Sequence, residues 1–226
     1  MGEVVLYDYW RSSASYRVRI ALGLMNIPYR TVPIDLLAGI HKVPDYLKRN
    51  PQGLVPALEI DGIMMTQSVS IIEYLDETRP GQGLLPSETL ARQRVRALTH
   101  VIAMDIHPIC NLGVVRHVMD LASASGEGAD TFRHDWMEKY IGDGLAAFEA
   151  MLATRTDEGG DGNKTDGGKF CHGNRPSMAD ICLIPQLYNA RRWNVSLSHF
   201  PQIRAIEQSC LAIDAFANAH PDKCPR

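Results

Sequence analysis

The sequence predicts an α/β plus all-α architecture, an α/β domain followed by a helical one, and three observations carry that prediction. Short β-type runs alternate with helix-periodic stretches over the first 85 residues. A Pro- and Gly-rich segment, RPGQGLLPSE at 79–88, then breaks the pattern like a linker. Beyond it the strand signals vanish and apolar residues recur only at helical spacing. The expected boundaries are 1–84 for the first domain, with a mixed sheet, and 89–226 for the second.

Val4, Val5, Leu6 and Tyr7 read as an opening strand. In WRSSASYRVRIAL (10–22) and the residues after it, Val18, Ala21, Leu22 and Met25 fall at i, i+3, i+4 and i+7, which lays an apolar stripe along a helix. YRTVPI (29–34) is strand-like, 40–49 is polar and helix-prone, and NPQGLVP (50–56) punctuates the chain. ALEIDGIMM (57–65) reads as two strands joined at Asp61-Gly62, a dipeptide whose residues tolerate the positive φ of a tight hairpin. Ser68 opens a helix with Ile71, Ile72 and Leu75 on one face.

In the second domain 89–123, 130–154, 178–192 and 201–218 are helix-periodic. Ser177-Met178-Ala179-Asp180 has capping-box spacing, with Asp in place of the usual Glu or Gln. DEGGDGNKTDGGK (157–169) is expected to be a mobile, dispensable surface insertion. It fails as a calcium loop, because Gly159 and Gly168 stand where ligands are required. Arg92, Arg94, Arg96 and Arg116 carry no aromatic interleaving and suit a solvated or subunit-facing helix surface.

Composition excludes several functions. The 226 residues are 45% hydrophobic and 22% charged with net charge −3, which leaves no electrostatic footprint for nucleic acid or an anionic membrane. No apolar run approaches the ~20 residues of a membrane helix, and Asp8 and Arg11 interrupt any export signal, so a cytoplasmic location is expected. Cys110, Cys171, Cys182, Cys210 and Cys224 are odd in number and form no C-x-x-C pair, which points to neither disulfides nor a metal site. Cys110, Cys182 and Cys210 sit in apolar helical contexts that suit buried thiols.

Three features of the first domain converge on an anionic, peptide-like ligand. Ser12, Ser13 and Ser15 occupy a strand-to-helix turn, where hydroxyls and a helix N-terminus together stabilise an anion. The plain structural reading of the turn is a helix cap, and for Ser15 capping is the only role expected. Val55-Pro56 precedes a strand, where a fixed turn, predicted cis, exposes the Val55 backbone amide to a ligand. Gln67-Ser68 supplies a second helix N-terminus suited to a carboxylate. Together these describe a glutathione site on a thioredoxin-like fold.

YWRSSASYRVRIAL, NPQGLVPALEIDG, QSVSIIEYLDETRP, SMADICLIPQLYNARRW and FPQIRAIEQS resemble the zeta class of glutathione transferases, in order and from about residue 3 to 221. The resemblance implies glutathione as cofactor, a homodimer, and a small diketo-acid substrate, maleylacetoacetate in aromatic amino-acid catabolism. It implies that Ser12 hydrogen-bonds the glutathione sulfur with Ser13 beside it, and that Val55, before the family's cis proline at Pro56, pairs with the cysteinyl backbone. Gln67 and Ser68 then hold the γ-glutamyl end and His41 reaches the glycine end. His107 and Asn111 in DIHPICNLG line the cleft and contact the bound glutathione, and Arg192 in NARRW orients a substrate carboxylate. The family cysteine after the two serines is Ala14 here, which disfavours chemistry needing an enzyme thiol at that place.

The implied reaction is a cis–trans isomerisation by reversible thiolate addition. A free thiol has a pKa of about 8.5, so the protein must favour the thiolate. Ser12 would donate a hydrogen bond to it, with the helix dipole and Arg17 adding favourable potential. Arg11 and Arg192 would stabilise the charge that moves onto the substrate. Maleylpyruvate isomerisation and general transferase activity are the enzymatic alternatives, and a non-catalytic binding module is the remaining one. Paired arginines after HPI-x-N would grip the shorter maleylpyruvate; Leu112 and Gly113 stand there instead.

Overall fold

Strand β1 (Val5–Asp8) is an inner strand of the sheet, because its neighbours on both sides come from the alternation read above. Helix α1 (Ser13–Leu24) carries the chain across the sheet to β2 (Arg30–Pro33), which pairs parallel with β1. A parallel pair needs such a crossover. The 40–49 stretch forms only a 3₁₀ turn, Ile40–Lys42, and the single turn α2 (Pro44–Leu47), not the longer helix expected. Val43 is extended between them (φ −72°, ψ 149°), as the residue before a proline must be. Strands β3 (Ala57–Ile60) and β4 (Ile63–Thr66) complete a four-stranded mixed sheet of order β2-β1-β3-β4. Asp61 and Gly62 both take positive φ in their hairpin. Helix α3 (Ser68–Thr78) follows, burying Ile71, Ile72 and Leu75.

This computed structural model describes residues 2–79, 81, 83–124, 129–154 and 168–225. Of the 157–169 insertion only Gly168 and Lys169 fall among them; the rest lies outside the described residues.

The second unit begins with α4 (Thr89–His100), whose first turn is capped by the Glu88 carboxylate accepting from the Leu90 and Ala91 N–H groups. The helix expected over 89–123 is not continuous. A π-helical turn, Val101–Ile106, follows α4, with His107 N–H donating to the Ile102 carbonyl at 3.0 Å. A turn at 107–110 containing Pro108 then resets the chain for α5 (Leu112–Ala124). Helices α6 (Ala129–Ala153), α7 (Met178–Arg192) and α8 (Pro201–Leu211) complete the unit. Arg92 and Arg94 are not merely solvated: they donate to the carbonyls of Pro86, Ser87 and Met151 and brace chain ends.

The chain returns to the first unit at its end. The two compact units are 1–85 with 211–226, and 86–210, so the expected 89–226 domain loses its last segment. That segment, with α9 (Asp214–Asn218), packs against α1. Gly23 permits the approach, since a Cβ there would stand 3.2 Å from Ala215 Cβ. Burial therefore surrounds α1 instead of following one stripe: every residue from Ser13 to Leu22 is buried, Arg17 and Arg19 included.

Candidate functional site

The first turn of α1 is organised by Ser12. Its backbone is extended (φ −66°, ψ 120°) and its Oγ accepts the Ser15 N–H at 3.2 Å, so Ser12 is the cap and Ser15 is not. Ser15 lies inside the helix and fully buried. Accepting one hydrogen bond leaves the Ser12 hydroxyl proton to be donated outward. Ser12 is half-buried whereas Ser13 is only 9% exposed, which favours Ser12 as the hydroxyl a ligand meets. Arg11, half-buried, donates to the Tyr9 hydroxyl at 3.3 Å and lies over the Trp10 ring.

The second element is the NPQGLVP loop. Asn50, 2% exposed, donates through Nδ2 to the Leu54 carbonyl at 2.8 Å, and the Tyr46 hydroxyl donates to the same oxygen at 2.6 Å. Two donors on one carbonyl fix the peptide that leads into Val55, whose bond to Pro56 is cis. Val55 packs with Ile34 and Tyr46 beneath it. His41 is half-buried in the 3₁₀ turn against this loop. A Cβ at Gly53 would stand 2.8 Å from the His41 carbonyl oxygen, and Gly53 has φ +60°, so only glycine suits that contact.

The third element is the start of α3. Gln67 takes φ 70°, ψ 106°, an uncommon conformation for a residue with a side chain, of the kind that concentrates at ligand clamps. Its Nε2 donates to Gln52 Oε1 at 2.7 Å. Arg17 Nη1 donates to Ser68 Oγ at 3.3 Å, so a buried cation on the second turn of α1 holds the first residue of α3. Ser12, Ser13, Arg17, Val55, Pro56, Gln67 and Ser68 all lie in the first unit, where hydrogen bonds tie Arg17 to Ser68, Gln67 to Gln52, and the peptide before Val55 to Tyr46 and Asn50. The hydroxyls, amide donors, guanidinium and two helix N-termini form a donor set that fits a thiolate and a carboxylate, and a fixed backbone amide fits a peptide-like body. Glutathione presents those groups.

The second unit holds His107, Asn111 and Arg192. His107 follows the π-helical turn, a feature that often marks functional positions. The Asn111 Oδ1 accepts the Gly113 N–H at 2.8 Å and caps α5. Arg192 is exposed in the last turn of α7, with Nη1 3.5 Å from Asn189 Oδ1. Its neighbour Arg191 pairs with both oxygens of Glu207 and is structural.

Sequence reasoning missed Tyr46, Asn50 and Gln52; Asn50-Pro51 as a turn opener was the available signal. It also missed Asp8 and Arg19, discussed below. Burial pushes the Cys110 thiol up to about 11, although the residue is half-buried and not buried as expected. Burial also pushes up Cys171, Cys210 and Cys224, so none of these four supplies a thiolate at neutral pH. Among the described residues the cysteines are free.

The family model for the glutathione S-transferase N-terminal domain matches residues 6–83. The maleylacetoacetate isomerase of Rhizobium meliloti strain 1021 is 60% identical over 222 residues, covering 98% of each chain. The maleylpyruvate isomerase of a Ralstonia species is 37% identical over 220 residues, covering 97% of this chain and 98% of that one. Among solved structures, a holo maleylpyruvate isomerase described as a bacterial zeta-class glutathione transferase superposes with TM-score 0.88 at 37% identity, with 98% of both chains covered. Maleylacetoacetate isomerase from Methylobacterium extorquens AM1, with bound malonate and GSH, gives 0.87 at 38% identity over 98% of each chain. Identity of this extent along nearly the whole chain decides the matter: the protein belongs to the zeta class of the glutathione S-transferase family.

Proposed function

We propose that the chain is a glutathione-dependent cis–trans isomerase that converts maleylacetoacetate to fumarylacetoacetate in the breakdown of tyrosine and phenylalanine. The observation that carries the reading is the link between the second turn of α1 and the first residue of α3 through Arg17 and Ser68, beside the outward hydroxyl of Ser12. Bound glutathione supplies a thiolate whose addition makes the conjugated double bond single and whose elimination after rotation restores it. Ser12 donates its hydroxyl proton as a hydrogen bond to the sulfur and so favours the ionised form; its pKa is far too high for it to act as a base. The α1 N-terminus and Arg17 add positive potential to that end of the site. Ser13 assists from the same turn. Val55 offers backbone N–H and C=O to the cysteinyl unit next to Pro56, Gln67 and Ser68 hold the γ-glutamyl end, and His41 reaches the glycine end. His107 and Asn111 contribute from the helical unit. Arg11 and Arg192 bind the acid and stabilise the charge that moves onto its oxygens.

Support for maleylacetoacetate over maleylpyruvate comes from Leu112 and Gly113, which form no ion pair with the shorter dianion, and from the 60% identity to a maleylacetoacetate isomerase. Malonate bound in the Methylobacterium relative is consistent with a dicarboxylate site. A cytosolic homodimer completes the proposal; among the described residues no helix is long and apolar enough to cross a membrane. The test is the ratio of kcat/KM for the two acids at saturating glutathione, expected to favour maleylacetoacetate. In the same assay Ser12→Ala should lower turnover roughly 10- to 100-fold, equivalent to about 1.4–2.8 kcal/mol, with a smaller change in glutathione affinity. An inactive Ser13→Ala beside an active Ser12→Ala would reverse the assignment.

A further inference from the structure

Arg19 is 2% exposed and lies two helical turns beyond Ser12, so its side chain, tilted toward the helix N-terminus, reaches back beneath the turn that presents Ser12. Its guanidinium holds three separate pieces of chain. Nη1 donates to both oxygens of Asp8, at 2.8 Å each, at the end of β1. Nη2 donates to the Trp10 carbonyl at 3.1 Å, inside the turn closed by the Ser12 N–H bonding to the Tyr9 carbonyl at 2.8 Å. Nε donates to the Ala219 carbonyl at 3.1 Å, in the C-terminal segment. The face of the guanidinium lies 5.3 Å from the Tyr16 ring, whose hydroxyl donates to the Phe216 carbonyl.

We propose that Arg19 is a positioning residue for the glutathione thiolate: it sets the height and angle at which Ser12 is presented, by tying the 9–12 turn to β1 and to the C-terminal segment. The inference rests on the proposed role of Ser12. A planar fork with donors on three sides can satisfy the Asp8, Trp10 and Ala219 oxygens at once; a lysine ammonium, a single point of charge, cannot span them. Asp8 offsets the Arg19 charge inside the unit, so Arg19 acts through the geometry of the turn and not as a cation beside the sulfur. The C-terminal segment thereby becomes part of the thiol-activating apparatus, although it supplies no side chain to it. A hydrogen bond to a thiolate weakens steeply with misalignment, so a small rotation of the turn is felt at the sulfur.

The experiment uses the full chain and reads the pKa of enzyme-bound glutathione from thiolate absorbance against pH, together with the Kd of S-methylglutathione, which cannot ionise there. Arg19→Lys and Asp8→Glu keep every charge and change reach by about an atom. Both are expected to raise the bound thiol pKa by roughly one unit, a tenfold loss of thiolate near neutrality, while the Kd of S-methylglutathione changes less than about twofold. Asp8→Asn keeps an acceptor in place and is expected to leave the thiol pKa unraised. Should Arg19→Lys fail to fold, Asp8→Glu carries the test. A folded variant of either kind that melts earlier but holds the parent's thiol pKa would assign Arg19 to stability alone and overturn the proposal. If the unsubstituted protein itself does not lower the thiol pKa below its free value of about 8.5, the failure belongs to the glutathione reading and not to Arg19.

Discussion

In the first unit Ser68, Gln67 and the peptide before Val55 are held by side chains from other segments of the chain, whereas the bond that holds the Asn111 side chain in the second unit lies at the start of its own helix. Ser12 is fixed by the Ser15 N–H, Ser68 by Arg17, Gln67 by Gln52, and the Val55 peptide by two donors on Leu54. Asn111 caps α5 as Ser12 caps α1, and Arg192 is exposed in the last turn of α7 with Asn189 beside it. The first arrangement suits an unvarying ligand, for which preorganisation lowers the cost of binding. The second leaves substrate preference to a few replaceable side chains. Substitutions in the first unit should therefore spread through the fold, and substitutions in the second should change selectivity locally.

The largest effect is expected at the buried ion pair. Asp8→Ala leaves the Arg19 guanidinium uncompensated with both partners 2% exposed, which costs about 3–5 kcal/mol of stability. Denaturant titration measures it; a loss below about 1 kcal/mol, the scale of an exposed pair, would show that water reaches the site. The counterpart in the second unit is Gly144. A Cβ there would collide with Cδ1 and Cγ1 of the buried Ile106, which ends the π-helical turn before His107. Gly144→Ala should cost about 1–3 kcal/mol by overpacking and should change KM for the acid without changing the Kd of glutathione. A loss of glutathione binding in that variant would mean that the two groups of residues are not energetically separable.

The contrast also explains how far the sequence could be read. The DG hairpin and the start of α3 are local signals, whereas the cis Val55-Pro56 bond was expected from its place before a strand and from the family resemblance, since X–Pro bonds on their own favour trans. The π-helical turn was hidden because its apolar residues keep helical spacing, and only its hydrogen bonds shift from i+4 to i+5. In the sequence Arg19 is one of three arginines, with Arg11 and Arg17, in WRSSASYRVRIAL, and nothing local singles it out. Its role depends on Asp8 and on Ala219, two hundred residues away, and no periodicity reports a partner at that distance. The same holds for 211–226: its helical pattern was visible, but its choice of unit follows from the close approach that Gly23 allows to Ala215. Serine at a helix mouth can cap from any of three positions here, so Ser15 was given that role; the extended backbone of Ser12 shows that Ser12 is the cap and Ser15 an interior residue.

A smaller effect is expected at Leu112, 40% exposed at the first position of α5. An arginine there has room to reach solvent or a carboxylate, so Leu112→Arg should fold normally. A charge-assisted hydrogen bond is worth about 1.5–3 kcal/mol, enough to move the ratio of kcat/KM tenfold or more toward maleylpyruvate. An unchanged ratio would place the start of α5 outside the determinants of substrate length.

The smallest effect separates the two roles open to Asn111. Its Oδ1 caps α5 through the Gly113 N–H, and Asp caps a helix as well as Asn does. Asn111→Asp keeps that acceptor and places a negative charge at a helix N-terminus, where charge of that sign is favourable by a few tenths of a kcal/mol. The melting temperature should therefore hold or rise slightly. The amide Nδ2, however, becomes an anionic oxygen that can donate to nothing. If the Asn111 amide donates to anionic glutathione from the helical unit, KM for glutathione rises a few-fold at low salt while stability stays level. That rise should shrink as salt is added, because screening weakens the new repulsion but cannot restore the lost donor. A variant unchanged in both stability and KM would leave Asn111 as a cap alone, and the second unit's hold on glutathione would then rest on His107.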